Sequence, residues 1–223
     1  VPEGRALVGA DASGLELRCL AHYMARYDGG AYVKELLEGD IHTANQIAAG
    51  LPTRDNAKTF IYGFLYGAGD EKIGSIVGGT RQDGRRLKNS FLKKTPAIAK
   101  LKAQVEHVAK TRKYLIGLDG RKLRVRAVYA SLNLLLQSAG AILMKKALVI
   151  LDDKLQKEGL TPGIDYEFVA NIHDEWQIEC DQKYAELIGK TAVKAIAEAG
   201  VFFNFRCPLD GEYKIGETWA ETH

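Results

Sequence analysis

The chain has 223 residues, 46% of them hydrophobic and 26% charged, which is enough for one large domain or two small ones around a buried core. No apolar run approaches the ~20 residues a membrane span needs, and Val1-Pro2-Glu3-Gly4-Arg5 has neither an initiator Met nor a signal-peptide pattern, so the expectation is an excised domain or processed fragment with no membrane partner. The net charge of +3 hides a split: Lys72 to Arg126 holds sixteen basic and three acidic residues, and the remainder fifteen basic and twenty-five acidic, a distribution suited either to meeting a polyanion or to a solvated pair of lysine-rich helices.

Arg5-Ala6-Leu7-Val8-Gly9-Ala10 reads as a short buried strand that delivers Asp11 at its C-terminal end. Helical spacing follows from Leu15 to Tyr27. Asp40 has the character of an N-cap for a helix over Thr43–Ala49, with His42 just inside it. Gly50-Leu51-Pro52 breaks the chain, Thr53 caps a helix from Arg54 to Tyr66, and Gly67-Ala68-Gly69-Asp70 ends it. The basic segment reads as helices over Gly84–Lys93 and Pro96–Lys113, a turn at Gly117–Gly120 and a strand over Lys122–Val128. A long helix from Ala130 to Glu158 is closed by Gly159. Phe168–Ile172 and Trp176–Cys180 form a hairpin with His173-Asp174-Glu175 at its tip. A helix over Lys183–Ala199 and a strand-rich stretch over Asn204–Lys214 complete the pass. Strands at both ends with helices between them predict an α+β fold, an antiparallel sheet carrying a helical insertion. Cys19, Cys180 and Cys207 show no CxxC or Cys/His metal spacing and read as structural thiols in a reducing compartment.

Three groups of residues carry chemistry. Asp11 and Asp174 each follow an apolar run, so converging strands could hold them as ligands for a pair of divalent cations ~3.5–4 Å apart; ordinary turn-capping aspartates fit the same pattern. Arg54, Lys58, Tyr62 and Tyr66 recur every four residues and form one stripe on a helix whose core face is supplied by Phe60, Ile61, Phe64 and Leu65. Two cations followed by two aromatics suit a nucleotide, with charge for its phosphates and ring faces for sugar or base. Asn133 and Gln137, one helical turn apart, could reach minor-groove acceptors common to all base pairs, or could be a plain polar patch.

The motifs resemble those of family A, DNA polymerase I-like, DNA polymerases. Asp11-Ala12-Ser13-Gly14-Leu15-Glu16-Leu17-Arg18 looks like motif A. The segment Arg54-Asp55-Asn56-Ala57-Lys58-Thr59-Phe60-Ile61-Tyr62-Gly63-Phe64-Leu65-Tyr66-Gly67 looks like motif B, and Ile172-His173-Asp174-Glu175 like motif C. They stand in family order, and the likeness runs to the terminal Gly216–His223. The Ala-Ser-Gly-Leu form of motif A points to the phage replicative branch.

The resemblance implies template-directed transfer of a deoxynucleotide from dNTP to a primer 3′-OH. Asp11 and Asp174, with the Ala12 carbonyl, would ligate two Mg²⁺ ions, for which Mn²⁺ could substitute. Arg54, Lys58 and His42 would hold the triphosphate, with Lys58 also a general acid, and Glu175 would support the catalytic pair from behind. Glu16 would close the space at the sugar C2′, Tyr62 would pack on the sugar and Tyr66 would stack at the templating position. Asn133, Gln137 and His173 would touch the DNA. Tyr62, where many relatives have Phe, implies ready use of dideoxynucleotides. The implied division is palm over 1–50 and 117–223 and fingers over 51–116. Primer-template DNA and dNTP would be partners, together with a thumb and exonuclease portion or a separate subunit. The setting would be the cytoplasm, that of a bacterial host if the chain is phage-encoded.

Two departures stand out. Tyr129 occupies the place of an Arg usual in cellular relatives, and the primer-gripping segment expected upstream of motif A is absent. The rival readings are a fragment that binds DNA without turnover and a single-subunit RNA polymerase, against which Glu16 counts.

Overall fold

The computed structural model describes every residue from Val1 to His223, and the chain forms two compact units, Val1–Cys19 with Ala139–His223 and Leu20–Ser138. The palm-and-fingers division expected from the motifs is a division by role and not by compactness.

The first unit is built on a four-stranded antiparallel sheet. β1 (Arg5–Ala12) lies between β5 (Glu175–Asp181) and β6 (Gly211–Gly216), and β4 (Tyr166–Ile172) pairs with β5, giving the order β4-β5-β1-β6. β1 is central, and all five residues from Ala6 to Ala10 are buried, which is why this strand reads as a continuous apolar run rather than an alternating one. Opposite residues in the register share a face, so β1 sorts cleanly. Val8 and Ala10 face Ile178 and Trp176, while Gly9 and Asp11 face Gln177 and Glu175. Helix α9 (Ala185–Phe202) packs on the first face; a Cβ on its Gly189 would come within 2.2 Å of the Tyr213 ring. The short helix α10 (Trp219–Thr222) covers the second face at Gly9, where a Cβ would stand 2.3 Å from the Thr222 carbonyl oxygen. The glycine is there for close approach. The expected α+β architecture is the one observed, with eight helices inserted between β1 and β4 and α9 between β5 and β6.

The second unit is helical. It contains most of α1 (Leu15–Asp28), then α2 (Ala31–Glu38), α3 (Ile41–Ala49), α4 (Arg54–Leu65), α5 (Asp70–Ser75), α6 (Arg81–Lys94) and α7 (Pro96–Arg112). A two-stranded ribbon of β2 (Tyr114–Ile116) and β3 (Lys122–Arg124) follows, then the start of α8 (Ser131–Lys157). Its core centres on the aromatic trio Phe60, Phe64 and Phe91; Phe91 meets each of the others edge-on with ring centroids 5.2 Å apart.

Several expected boundaries move. α2 and α5 lie where no element is expected from the sequence. Gly29 and Gly30 do take positive φ, but Gly74 and Gly84 are packing glycines, a Cβ on Gly84 standing 1.8 Å from the Asp70 carbonyl. The strand expected over Lys122–Val128 stops at Arg124, and the stretch expected from Asn204 pairs only from Gly211, because Asn204 adopts φ 50° and Pro208 has no N–H for a ladder. The expectation that no run has membrane-spanning character is also corrected. The helical stretch Val128–Lys157 is long and apolar enough by length and composition, its polar residues hiding this from a search for unbroken runs; half of its most apolar window is buried inside the protein. Leu132, Leu135, Leu136, Ala139, Leu143, Met144, Ala147, Leu151 and Leu155 repeat at helical spacing and are buried against the rest of the chain.

Candidate active site

Strand pairing builds the acidic site. Asp11 lies opposite Glu175 in β5 and Glu212 in β6, and the next residue, Ala12, donates its N–H to the Asp174 carbonyl at 2.9 Å. The ends of β1 and of the β4–β5 hairpin are thereby tied together with Asp11 and Asp174 beside one another. The hairpin turn is His173-Asp174, with His173 at φ 52°, a left-handed conformation that costs energy for a non-glycine residue and fixes the turn tightly.

Both aspartates are held uncomfortably as charges. Loss of water raises the Asp11 pKa first, and repulsion from Glu212 and Glu175 adds to it. Asp174 is likewise raised, chiefly by desolvation, with Glu16 and Asp11 contributing. Glu16, in the first turn of α1, is therefore close enough to Asp174 to act on it. Carboxyls crowded in this way could take a hard cation, which would offset their mutual repulsion. No set of three His, Cys, Asp or Glu converges as a ready-made metal cage, and the donors the resemblance implies are two carboxylates and the Ala12 carbonyl. All are oxygens, which fits Mg²⁺ or Mn²⁺ and not a thiolate- or imidazole-seeking metal.

Glu175 is a different kind of residue. It is only 6% exposed, and its carboxylate accepts hydrogen bonds from Trp219 Nε1 at 3.0 Å, His223 Nδ1 at 2.6 Å and Gln177 Nε2. Burial works against its charge, yet the bonds from Gln177, His223 and Trp219 prevail and lower its pKa. Thr222 Oγ1 donates to Gln177 Oε1 at 2.8 Å, completing a network that pins α10 to the sheet one residue from Asp174. The sequence reading missed Gln177, Trp219 and Thr222. The capping box from Thr218 to Glu221 was the available signal for α10, and the polar residues at alternate positions 175 and 177 of a buried strand were the signal for its partners.

In the second unit α4 begins where expected because Thr53 Oγ1 accepts the Asn56 N–H at 3.1 Å. Arg54 and Lys58 are exposed, Tyr62 is half-buried, and Ala57, Phe60, Ile61, Phe64 and Leu65 make up the buried face. Tyr66 is the C-cap rather than a helical residue, yet its N–H still bonds the Tyr62 carbonyl at 2.9 Å and the stripe runs on to it, 48% exposed. His42 joins this group from the first turn of α3. Its pKa is lowered by burial, then by the positive charges of Arg54 and Lys58 against the opposing pull of Asp40, and its Nδ1 is buried with no protein partner. Asn133 and Gln137 are half-exposed on successive turns of α8. The acidic residues thus gather in the first unit, and the cation–tyrosine stripe with His42, and separately Asn133 and Gln137, lie in the second. The three cysteines are buried and unbridged; burial raises Cys180 to about 11 and Cys19 further, leaving inert thiols.

Known proteins resemble the chain along its length. The DNA-directed DNA polymerase of Escherichia phage T7 is 51% identical over 232 residues, taking in 96% of this chain and 33% of its own, and that of Enterobacteria phage T3 matches to the same extent. The enzyme of Escherichia phage Phieco32 is 39% identical over 256 residues, 100% of this chain and 41% of its own. The chain therefore spans about a third of the length of the T7 and T3 relatives. Among solved structures, the POL domain of Pol1 from M. smegmatis, in complex with DNA primer-template and dNTP, superimposes with a TM-score of 0.83 at 20% identity, over 100% of this chain and 41% of that one, which establishes a shared fold. The profile of DNA polymerase family A matches residues 1–221. A sheet that brings the motif A and motif C aspartates together, a capped helix carrying motif B and a family match from end to end have one common source: the chain belongs to DNA polymerase family A.

Proposed function

We propose that this chain is the nucleotide-joining part of a template-directed DNA polymerase, in which a primer 3′-hydroxyl attacks the α-phosphate of a dNTP and pyrophosphate leaves. The observation that carries this reading is the meeting of Asp11 and Asp174, tied by the Ala12 N–H to the Asp174 carbonyl and crowded by further carboxylates. Asp11, Asp174 and the Ala12 carbonyl would hold a pair of Mg²⁺ ions, or Mn²⁺ in their place, with phosphate oxygens and water filling the shell. Bound there, the ions supply Lewis acidity toward the attacking hydroxyl and the phosphate.

The chain's own residues would do the remaining work. Arg54, Lys58 and His42 bind and neutralise the triphosphate, and Lys58 gives a proton to the leaving pyrophosphate oxygen. Tyr62 packs on the sugar and its hydroxyl fills the place of an absent 3′-OH. Glu16 fills the space a ribose 2′-hydroxyl would need. Tyr66 stacks at the templating base, Asn133 and Gln137 read minor-groove acceptors, and His173 orients the primer end. Glu175, saturated by its partners, keeps the hairpin rigid beneath Asp174. In this reading the palm is 1–50 with 117–223 and the fingers are 51–116. Primer-template DNA and dNTP are the partners, a thumb and exonuclease portion comes from chain of the kind that lengthens the relatives, and the work is done in a host cell's cytoplasm.

Single-nucleotide extension of a primed template by the natural polypeptide that carries these residues tests the reading. The nucleotide complementary to the template should be added, dNTP preferred over rNTP, and ddNTP used readily until Tyr62→Phe removes the hydroxyl. Addition without regard to the template, preference for rNTP, or strong rejection of ddNTP by the unaltered protein would contradict it.

A further inference from the structure

Asp40 carries more contacts than a helix cap needs. Its Oδ1 accepts the backbone N–H of His42 at 3.1 Å and of Thr43 at 3.3 Å, and its Oδ2 accepts the Thr43 hydroxyl at 2.8 Å. Those bonds fix the start of α3 and with it His42. The same Oδ2 also accepts Arg54 Nε at 2.7 Å, reaching the first residue of α4. Capping alone does not explain the residue, because Asn or Ser caps a helix as well and brings no charge. A carboxylate here stands among His42, Arg54 and Lys58, the residues read as triphosphate contacts, where an added negative charge opposes the ligand. Something must offset that repulsion.

The nitrogen Arg54 uses supplies the answer. It gives Asp40 only its Nε, which leaves Nη1 and Nη2 for a second anion. A guanidinium is planar and its donors form a rigid fork, so anchoring Nε sets the plane and direction of the other two nitrogens before any ligand arrives. The freedom a long side chain would otherwise lose on binding is already lost. The ion pair holds Asp40 ionised, well below the usual carboxylate range, through its hydrogen bond from Arg54 and then those from Thr43.

We propose that Asp40 is a positioning residue for nucleotide binding, orienting the Arg54 guanidinium and coupling it to the His42-bearing end of α3. The proposal rests on the reading of Arg54 and His42 as triphosphate contacts.

Equilibrium binding of dATP with Mg²⁺ to the full chain, measured by calorimetry, tests it in the wild type, Asp40→Asn, Arg54→Ala and the double variant. Asparagine keeps the cap, so the melting temperature of Asp40→Asn should stay at the wild-type value. Its affinity for dATP should fall about fivefold or more, whereas the same substitution in the Arg54→Ala background should change nothing further. Unchanged or tighter binding by Asp40→Asn would overturn the proposal, as would an equal loss in both backgrounds, which would mean that Asp40 acts through the fold alone. Failure of the wild type to bind dATP would instead remove the triphosphate reading of Arg54 and His42, and this proposal with it.

Discussion

At the scale of single residues, the candidate site is a set of groups held against their preferences. Asp11 and Asp174 resist ionisation, His42 resists protonation and His173 sits at a positive φ. Binding sites look like this when the ligand is what relieves the strain. His42 gives a clean test because its sign is unambiguous. Its folded pKa lies below the ordinary 6.5, so the unfolded chain takes up the proton first. The stability associated with neutral His42 is present above 6.5 and is lost as the pH falls below it. Thermal melts of the wild type and His42→Gln should therefore diverge between about pH 7.5 and 5.5, with the wild type losing stability relative to the variant as acid is added. Parallel profiles would show that His42 is not desolvated beside Arg54 and Lys58.

At the scale of elements, local sequence rules account for much of what formed. Thr53 caps α4, Asp40 caps α3, and the motif aspartates fall at strand ends because a buried apolar run brings them there. The placement of Arg54, Lys58 and Tyr62 on one helix was legible because four-residue spacing needs nothing but a helix. What was not legible depends on contacts distant in sequence. α10 has four residues and no amphipathic pattern of its own; it exists because Thr222 bonds Gln177 and Trp219 bonds Glu175, some forty-five residues away. Gly74 within α5 and Gly84 within α6 are packing contacts between the two helices, whereas Gly67 and Gly78 take the positive φ of turns, a distinction that only the neighbouring helix makes. Gly9 is a contact of the same kind in the sheet. In Gly9→Ala the new Cβ would meet the Thr222 carbonyl at 2.3 Å and Gln177 Nε2 at 2.7 Å, so α10 must move off the sheet. The expected cost is about 1–3 kcal/mol of stability in urea unfolding. A loss under about 0.5 kcal/mol, the range of an ordinary surface change, would contradict the view that α10 is clamped there.

At the scale of the whole molecule, charge and carboxylates are segregated along the chain. Sixteen basic residues lie between Lys72 and Arg126, in the helical unit, and the crowded acids lie in the sheet unit. Basic surface gives affinity for a polyanion without regard to sequence, and that affinity falls with salt. Convergent carboxylates give affinity for cations and the chemistry that follows. In the proposed function, binding of DNA and joining of nucleotides rest on different residues, so a single substitution should abolish one and spare the other. The measurement that tests this most directly is single-turnover incorporation by the natural polypeptide with Mg²⁺ titrated, comparing the wild type with Asp174→Ala, alongside binding of the same primer-template across a range of salt. Incorporation should depend on the cation in the wild type and fall by about 10³-fold or more in the variant, roughly 4 kcal/mol of transition-state stabilisation, while duplex affinity and its salt dependence stay the same. Incorporation by Asp174→Ala within about tenfold of the wild type would contradict the central claim that Asp11 and Asp174 form the catalytic pair.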